Sequence, residues 1–183
     1  MNHRVWALLL LSAVVFTSAA VAERDQIIVV RHAERASEPA ADPALSAAGE
    51  ARAQALEAAL ANAGVSAIIT TQFRRTRDTA QPLAEAQRIT PQVVAARKGE
   101  APAVHIGEVA AAVRAQAGGT VLVVGHSNTV MAVAAALGAP KMADLCETSF
   151  SHVLVLRPTK ASPQLLHLRY GAPDTAPADA SCQ

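Results

Sequence analysis

Arg31, His32 and Glu34 follow directly on Ile27-Ile28-Val29-Val30, four β-branched residues in a row. Such a run reads as a short strand buried on both faces, as in a parallel sheet. A cation, an imidazole and a carboxylate at its carboxyl end stand where open α/β sheets bind ligands. Two further segments repeat the arrangement. Residues 65–70 are strand-like and lead into Arg74, Arg75 and Arg77, and residues 120–124 lead into Gly125-His126-Ser127. Parallel strands bring all three endings to one edge. Two imidazoles and at least two guanidiniums placed together repel one another until an anion neutralises them, and guanidinium offers a planar fork that matches phosphate oxygens. The second and third segments also open helices, whose free N–H groups favour anions.

The elements that must position these groups alternate. Helical spacing starts at Leu45 and places Leu45, Ala48, Ala55, Leu56, Ala59, Leu60 and Ala63 on one face, with Ser46 as N-cap and Gly64 as stop. A helix opens within residues 72–80 and reaches about Arg88, with Pro82 predicting a kink or break. A weaker strand is expected over residues 91–95, a loop over 97–102 and a helix over 104–116. An alanine-rich helix closes at Gly138, and residues 150–156 and 164–169 read as two last strands, a hairpin at one edge. Strand and helix in alternation mean one α/β domain, a three-layer sandwich with a mostly parallel sheet and helices on both faces. From about residue 171 the chain is a Pro/Ala/Asp tail with no core to join, expected to be disordered.

On these residues the chain resembles the histidine phosphatase superfamily, the phosphoglycerate mutase-like fold. Arg31-His32-Ala33-Glu34 is similar to its Arg-His-Gly-Glu signature, and residues 71–80 to its Ser-Pro-x-x-Arg-Ala-x-x-Thr-Ala segment, whose arginine falls on Arg75. Leu45-Ser46-x-x-Gly49 and Gly125-His126-Ser127 match in the same order, so the resemblance covers nearly the whole of residues 23–183. It is nearest to small exported members close to the short bacterial phosphohistidine phosphatases. The resemblance implies that His32 is the nucleophile, forming a phosphohistidine that water hydrolyses, and that Arg31, Arg75 and His126 bind the phosphoryl oxygens. It implies no metal and no cofactor. The acid for the leaving group is assigned to Glu100, with Glu34 and Glu108 as rivals. Ala33, Thr71-Gln72 and Thr76 depart from the usual Gly, Ser-Pro and Ala. Ser127 after His126 excludes the phytase and acid-phosphatase branch, and the short connections leave no cap of the kind that encloses a mutase site.

The rest of the chain bounds the setting. In 183 residues there are 16 basic and 15 acidic side chains. This near-neutral balance argues against a nucleic-acid or anionic-membrane surface and suits a local site for a small phosphorylated substrate or a phosphoprotein. Residues 1–22 have a basic start, an apolar run and a small-residue end at Ala20-Val21-Ala22, the layout of a cleaved signal peptide. Residues 23–183 are then a single domain, periplasmic or secreted and without stable membrane insertion. Cys146 and Cys182 are either a disulfide or two unpaired thiols; an oxidising compartment favours the disulfide. His105, His152 and His167 belong to no motif and read as structural or exposed.

Two other readings use the same residues. Residues 124–129 resemble the nucleophile elbow of α/β-hydrolases with Ser127 as nucleophile, although Asp144 and His152 are the only obvious pair downstream to complete a triad. A scaffold with the cations but no carboxylate over the pocket would bind a phosphorylated ligand without turnover. Sequence leaves the substrate and the oligomeric state open.

Overall fold

The computed structural model describes residues 26–159, 162–174 and 182. The expected signal segment and residues 175–181 lie outside the described residues. Ten elements follow one another: β1 Gln26–Arg31, α1 Ala47–Leu60, β2 Val65–Thr70, α2 Arg74–Gln87, β3 Gln92–Val93, α3 Pro102–Ala115, β4 Thr120–Gly125, α4 Val130–Ala136, β5 His152–Arg157 and β6 Gln164–Arg169. The strands form one sheet in the order β3-β2-β4-β1-β5-β6. The first four run parallel, and β5 and β6 add an antiparallel hairpin at one edge.

The period-2 alternation of the strands sorts their side chains into two cores. Ile27 and Val29 pack with α3 and α4, through Val109, Val113, Met131 and Val133. Ile28 and Val30 face the other way, onto Leu56 and Leu60 of α1 and Leu83 and Ala84 of α2. The fold is therefore the expected sandwich of three layers, and a strand buried on both faces explains the unbroken aliphatic run.

Three elements differ from expectation. Helix α1 buries Gly49, Arg52, Ala53, Leu56 and Leu60, while Ala48 and Ala59 are exposed. Alanine on every side leaves the phase of the helix weakly specified, so tertiary contacts set it. Helix α2 runs through Pro82 without a break, held by buried Ala80, Leu83 and Ala84 on either side. The tail does not leave the domain at residue 171. Arg52 Nη1 donates to the carbonyls of Tyr170 and Ala172, and Asp174 accepts from the Phe150 and Ser151 N–H groups and from the Ser151 hydroxyl. Cys146 is joined to Cys182 in a disulfide, the pairing the sequence favoured.

Among the described residues no helix is long and apolar enough to cross a membrane, and no group of three His, Cys, Asp or Glu side chains is placed to hold a metal ion.

Candidate active site

Register brings the strand endings together. Arg31 lies opposite Gly125 on β4, and the His32 N–H donates to the Gly125 carbonyl at 2.9 Å. The next residue on each strand is a histidine-bearing turn, and the His32 and His126 rings sit edge to face with centroids 5.3 Å apart. On the other side of β4, Ile69 pairs with Val123. That places Thr71 beside His126, with Thr71 Oγ1 3.1 Å from His126 Nε2. These residues line a cavity of about 400 Å³ whose wall includes His32, Arg35, Phe73, Arg75, His126 and Glu147.

Hydrogen bonds define both tautomers. The Ala33 carbonyl can only accept, so His32 Nδ1 carries the proton it donates there at 2.7 Å, and Nε2 keeps its lone pair. Burial, with the charges of Arg31, Arg75 and Arg35, lowers the His32 pKa to about 3 against the pull of that carbonyl. His126 is lowered to about 3 as well, by burial first and then by His32, Arg75 and His105. Arg75 Nη2 approaches His126 Nδ1 at 3.5 Å, and its guanidinium lies 4.2 Å over the Phe73 ring. His126 Nε2 then carries the proton and donates to Thr71 Oγ1, which is tied in turn to Thr76 Oγ1 at 3.0 Å. Thr71 and Thr76, the departures from the usual motif, hold this imidazole.

Ala33 is buried, has an ordinary backbone conformation and packs with Leu45 and Ala53, so a methyl group costs nothing there. Its N–H donates to Thr79 Oγ1 at 2.9 Å. The Leu45-Ser46-x-x-Gly49 segment docks α1 on the turn after His32. Ser46 Oγ caps the Gly49 N–H, Ser46 N–H donates to the Glu34 carbonyl, and a Cβ on Gly49 would stand 2.1 Å from that carbonyl oxygen. The small size of Gly125 serves packing, since a Cβ there would meet Val130 Cγ1 at 2.9 Å.

The structure redistributes the remaining assignments. Arg31 is not part of the cavity wall. Its Nη1 donates to the Cys146 and Ser149 carbonyls at 2.8 and 3.0 Å, its Nη2 to Glu147 Oε2 at 3.0 Å, and its guanidinium lies 4.0 Å over the Phe150 ring. Glu34 turns away from the cavity into a bidentate pair with Arg52, at 2.8–3.0 Å. Glu100 and Glu108 both accept from Arg97 at 2.9 Å, and neither lines the cavity. Their expected place over the phosphate is corrected accordingly. The cavity carboxylate is Glu147, which also accepts from the Ser127 hydroxyl. Among the described residues Ser127 has no imidazole partner; His152 bonds instead to His167 at 2.7 Å. Sequence reasoning missed Arg35, Glu147 and the buried Arg52. Arg35 lay next to the motif, but Glu147 sits in a loop with no periodicity to read.

Comparisons with known proteins follow the same lines. Residues 27–97 match the family described as the histidine phosphatase superfamily, branch 1. Among solved structures, a candidate phosphohistidine phosphatase SixA from Nakamurella multipartitia shares 27% identity, covering 81% of this chain and 97% of that one, with a TM-score of 0.57. A mycobacterial glucosyl-3-phosphoglycerate phosphatase shares 17% identity over 81% of this chain and 99% of its own, with a TM-score of 0.59. The protein histidine phosphatase SixA complexed with tungstate shares 15% identity over 79% and 96%, with a TM-score of 0.57. No curated protein matches the chain by sequence at a significant level. Residues 27–97 are thus similar to the histidine phosphatase superfamily, and the fold and the histidine pair at the strand ends agree with that likeness.

Proposed function

We propose that the protein is a phosphatase that hydrolyses a phosphomonoester or a phosphorylated histidine through a phosphohistidine on His32. The observation that carries this reading is the His32 tautomer. With Nδ1–H bound to the Ala33 carbonyl, Nε2 is a neutral nucleophile across the physiological range in a cavity that also holds Arg35, Arg75 and His126.

Nε2 attacks phosphorus as the bond to the leaving group breaks, and the Ala33 carbonyl stabilises the positive charge that develops on the ring. Arg35 and Arg75 offset the charge spread over the phosphoryl oxygens in the loose transition state. His126 presents Nδ1 to the cavity and gains its second proton most readily when a dianion lies against it. The arriving phosphoryl group competes with Glu147 for Arg31 Nη2, which gives Arg31 its expected role. Water then attacks phosphorus and returns the free imidazole. No step calls on a metal ion.

Glu147 also supports turnover over mere binding, because a binder needs no carboxylate among its cations. A disulfide between Cys146 and Cys182 supports export to an oxidising compartment after removal of residues 1–22. The resemblance to SixA proteins and to a sugar-phosphoglycerate phosphatase supports small phosphorylated molecules and phosphoproteins as substrate classes.

The test is phosphate release from p-nitrophenyl phosphate with a chelator present, with and without vanadate. Turnover blocked by vanadate and by His32→Ala, and indifferent to a serine-directed fluorophosphonate, is the expected result. Activity that survives His32→Ala would overturn the assignment.

A further inference from the structure

We infer that Glu147 is the catalytic base of the second half-reaction, taking a proton from the water that cleaves the phosphohistidine on His32. This rests on the phosphatase reading above and adds a residue that no motif in the chain marks.

Glu147 is the one carboxylate, among the described residues, that lines the cavity with His32. The other candidates are engaged elsewhere, Glu34 with Arg52 and Glu100 and Glu108 with Arg97. Both Glu147 oxygens accept, Oε1 from the Ser127 hydroxyl and Oε2 from Arg31 Nη2. A group that accepts at both oxygens from a hydroxyl and a guanidinium is a carboxylate, able to take a proton and without one to give. The Ser127 hydrogen bond outweighs burial and, with Arg31, holds its pKa below the ordinary value. Its side chain is 78% exposed, so water reaches it, while Arg31 beside it is buried.

The loop that carries Glu147 is braced at both ends. Cys146 is fixed by its disulfide, its carbonyl accepts from Arg31 and from the Ser149 N–H, and Asp174 holds the N–H groups of Phe150 and Ser151. The backbone therefore presents the carboxylate from a defined position although its tip meets solvent. When a phosphoryl oxygen takes Arg31 Nη2, Oε2 loses its partner and Oε1 keeps Ser127. A free oxygen on an anchored carboxylate is then available to the incoming water.

The step balances without a further reagent. The water oxygen forms a bond to phosphorus, the P–Nε2 bond breaks, and its electron pair returns to His32 Nε2. The water proton passes to Glu147 Oε2 and is released to solvent with inorganic phosphate.

The test follows p-nitrophenyl phosphate turnover by the purified protein in a rapid-mixing instrument, with Glu147→Gln and Ser127→Ala beside the unsubstituted chain. Glu147→Gln retains the shape and one acceptor oxygen but cannot take the proton. It should keep a p-nitrophenol burst near one per site, lose steady-state turnover by on the order of 100-fold, and accumulate an acid-labile, alkali-stable phosphate on His32. Ser127→Ala removes the hydroxyl that holds the carboxylate ionised, so the acid limb of the turnover profile should move to higher pH. Burst and steady state falling together in Glu147→Gln, or turnover left unchanged, would overturn the role. An unsubstituted protein that turns over without ever labelling His32 would overturn the phosphohistidine reading beneath it.

Discussion

Glu34→Gln separates two roles for the carboxylate of the Arg-His-Ala-Glu segment. In the structure Glu34 accepts three hydrogen bonds from Arg52 at 2.8–3.0 Å, and the Arg52 side chain is only 3% exposed. Burial pushes the Glu34 carboxyl up, but the hydrogen bonds and charge of Arg52 outweigh it and hold the pKa below the ordinary value. Removing one charge of a buried pair costs about 3–5 kcal/mol, because the other is left uncompensated. Arg52 keeps the Tyr170 and Ala172 carbonyls, and the amide oxygen still accepts once. The lower end, about 3 kcal/mol, is therefore expected. At about 2–4 °C per kcal/mol for a domain of this size, Tm should fall by about 6–12 °C. Denaturant unfolding gives the free energy, and p-nitrophenyl phosphate turnover, measured well below the new Tm, gives the activity. Turnover should stay within a few-fold, because Glu34 does not line the cavity. Unchanged stability with turnover reduced 100-fold or more would refute the reasoning and return Glu34 to the chemistry.

Other perturbations follow from the same contacts. Gly49→Ala should destabilise by about 1–3 kcal/mol or more, since its Cβ would meet a backbone oxygen rather than a yielding side chain; Gly107→Ala, with nothing within 4 Å, is the control and should be neutral or stabilising in chemical denaturation. Stability should decline as pH falls from about 6.5 towards 3, by about 1.4 kcal/mol per pH unit for each of His32 and His126. The sign follows because these imidazoles stay neutral when folded, with pKa values lowered to about 3, but take up protons in the unfolded chain. Calorimetry across that range should therefore show a shallower slope in His126→Asn, and an unchanged slope would refute it. Replacing Cys146 and Cys182 by serine removes a link across 36 residues, with an expected loss of about 3–4 kcal/mol in the chain-entropy account. A double variant that unfolds at the same denaturant concentration as the parent would show that the Asp174 and Arg52 contacts hold the tail without the disulfide.

How much was legible before the fold was known depends on the kind of signal. His32, Arg75 and His126 each follow a strand within one to five residues, and local order along the chain was enough to find them. Arg52 carried no signal along the chain; its burial depends on Glu34, 18 residues earlier, and on carbonyls more than 100 residues later. Pro82 marked a helix interruption by local rules, and packing on both sides of it prevailed. Glu100 was assigned by its position after the third strand, but Arg97, three residues before it, accounts for its carboxylate.

What the sequence determined by itself is therefore the class of fold, the candidate nucleophile and the demand for an anion. Buried strands announce themselves through unbroken β-branched runs, and the residues that close them are adjacent in the chain. Tertiary structure alone decided which carboxylate shares the cavity and which arginine is structural. The register of β1 on β4 sets His32 against His126, and a loop fixed by the Cys146–Cys182 disulfide and by Asp174 brings Glu147 to Arg31 across 116 residues of chain. Contacts at that separation leave no period or spacing in the sequence, because they depend on where two distant backbones meet.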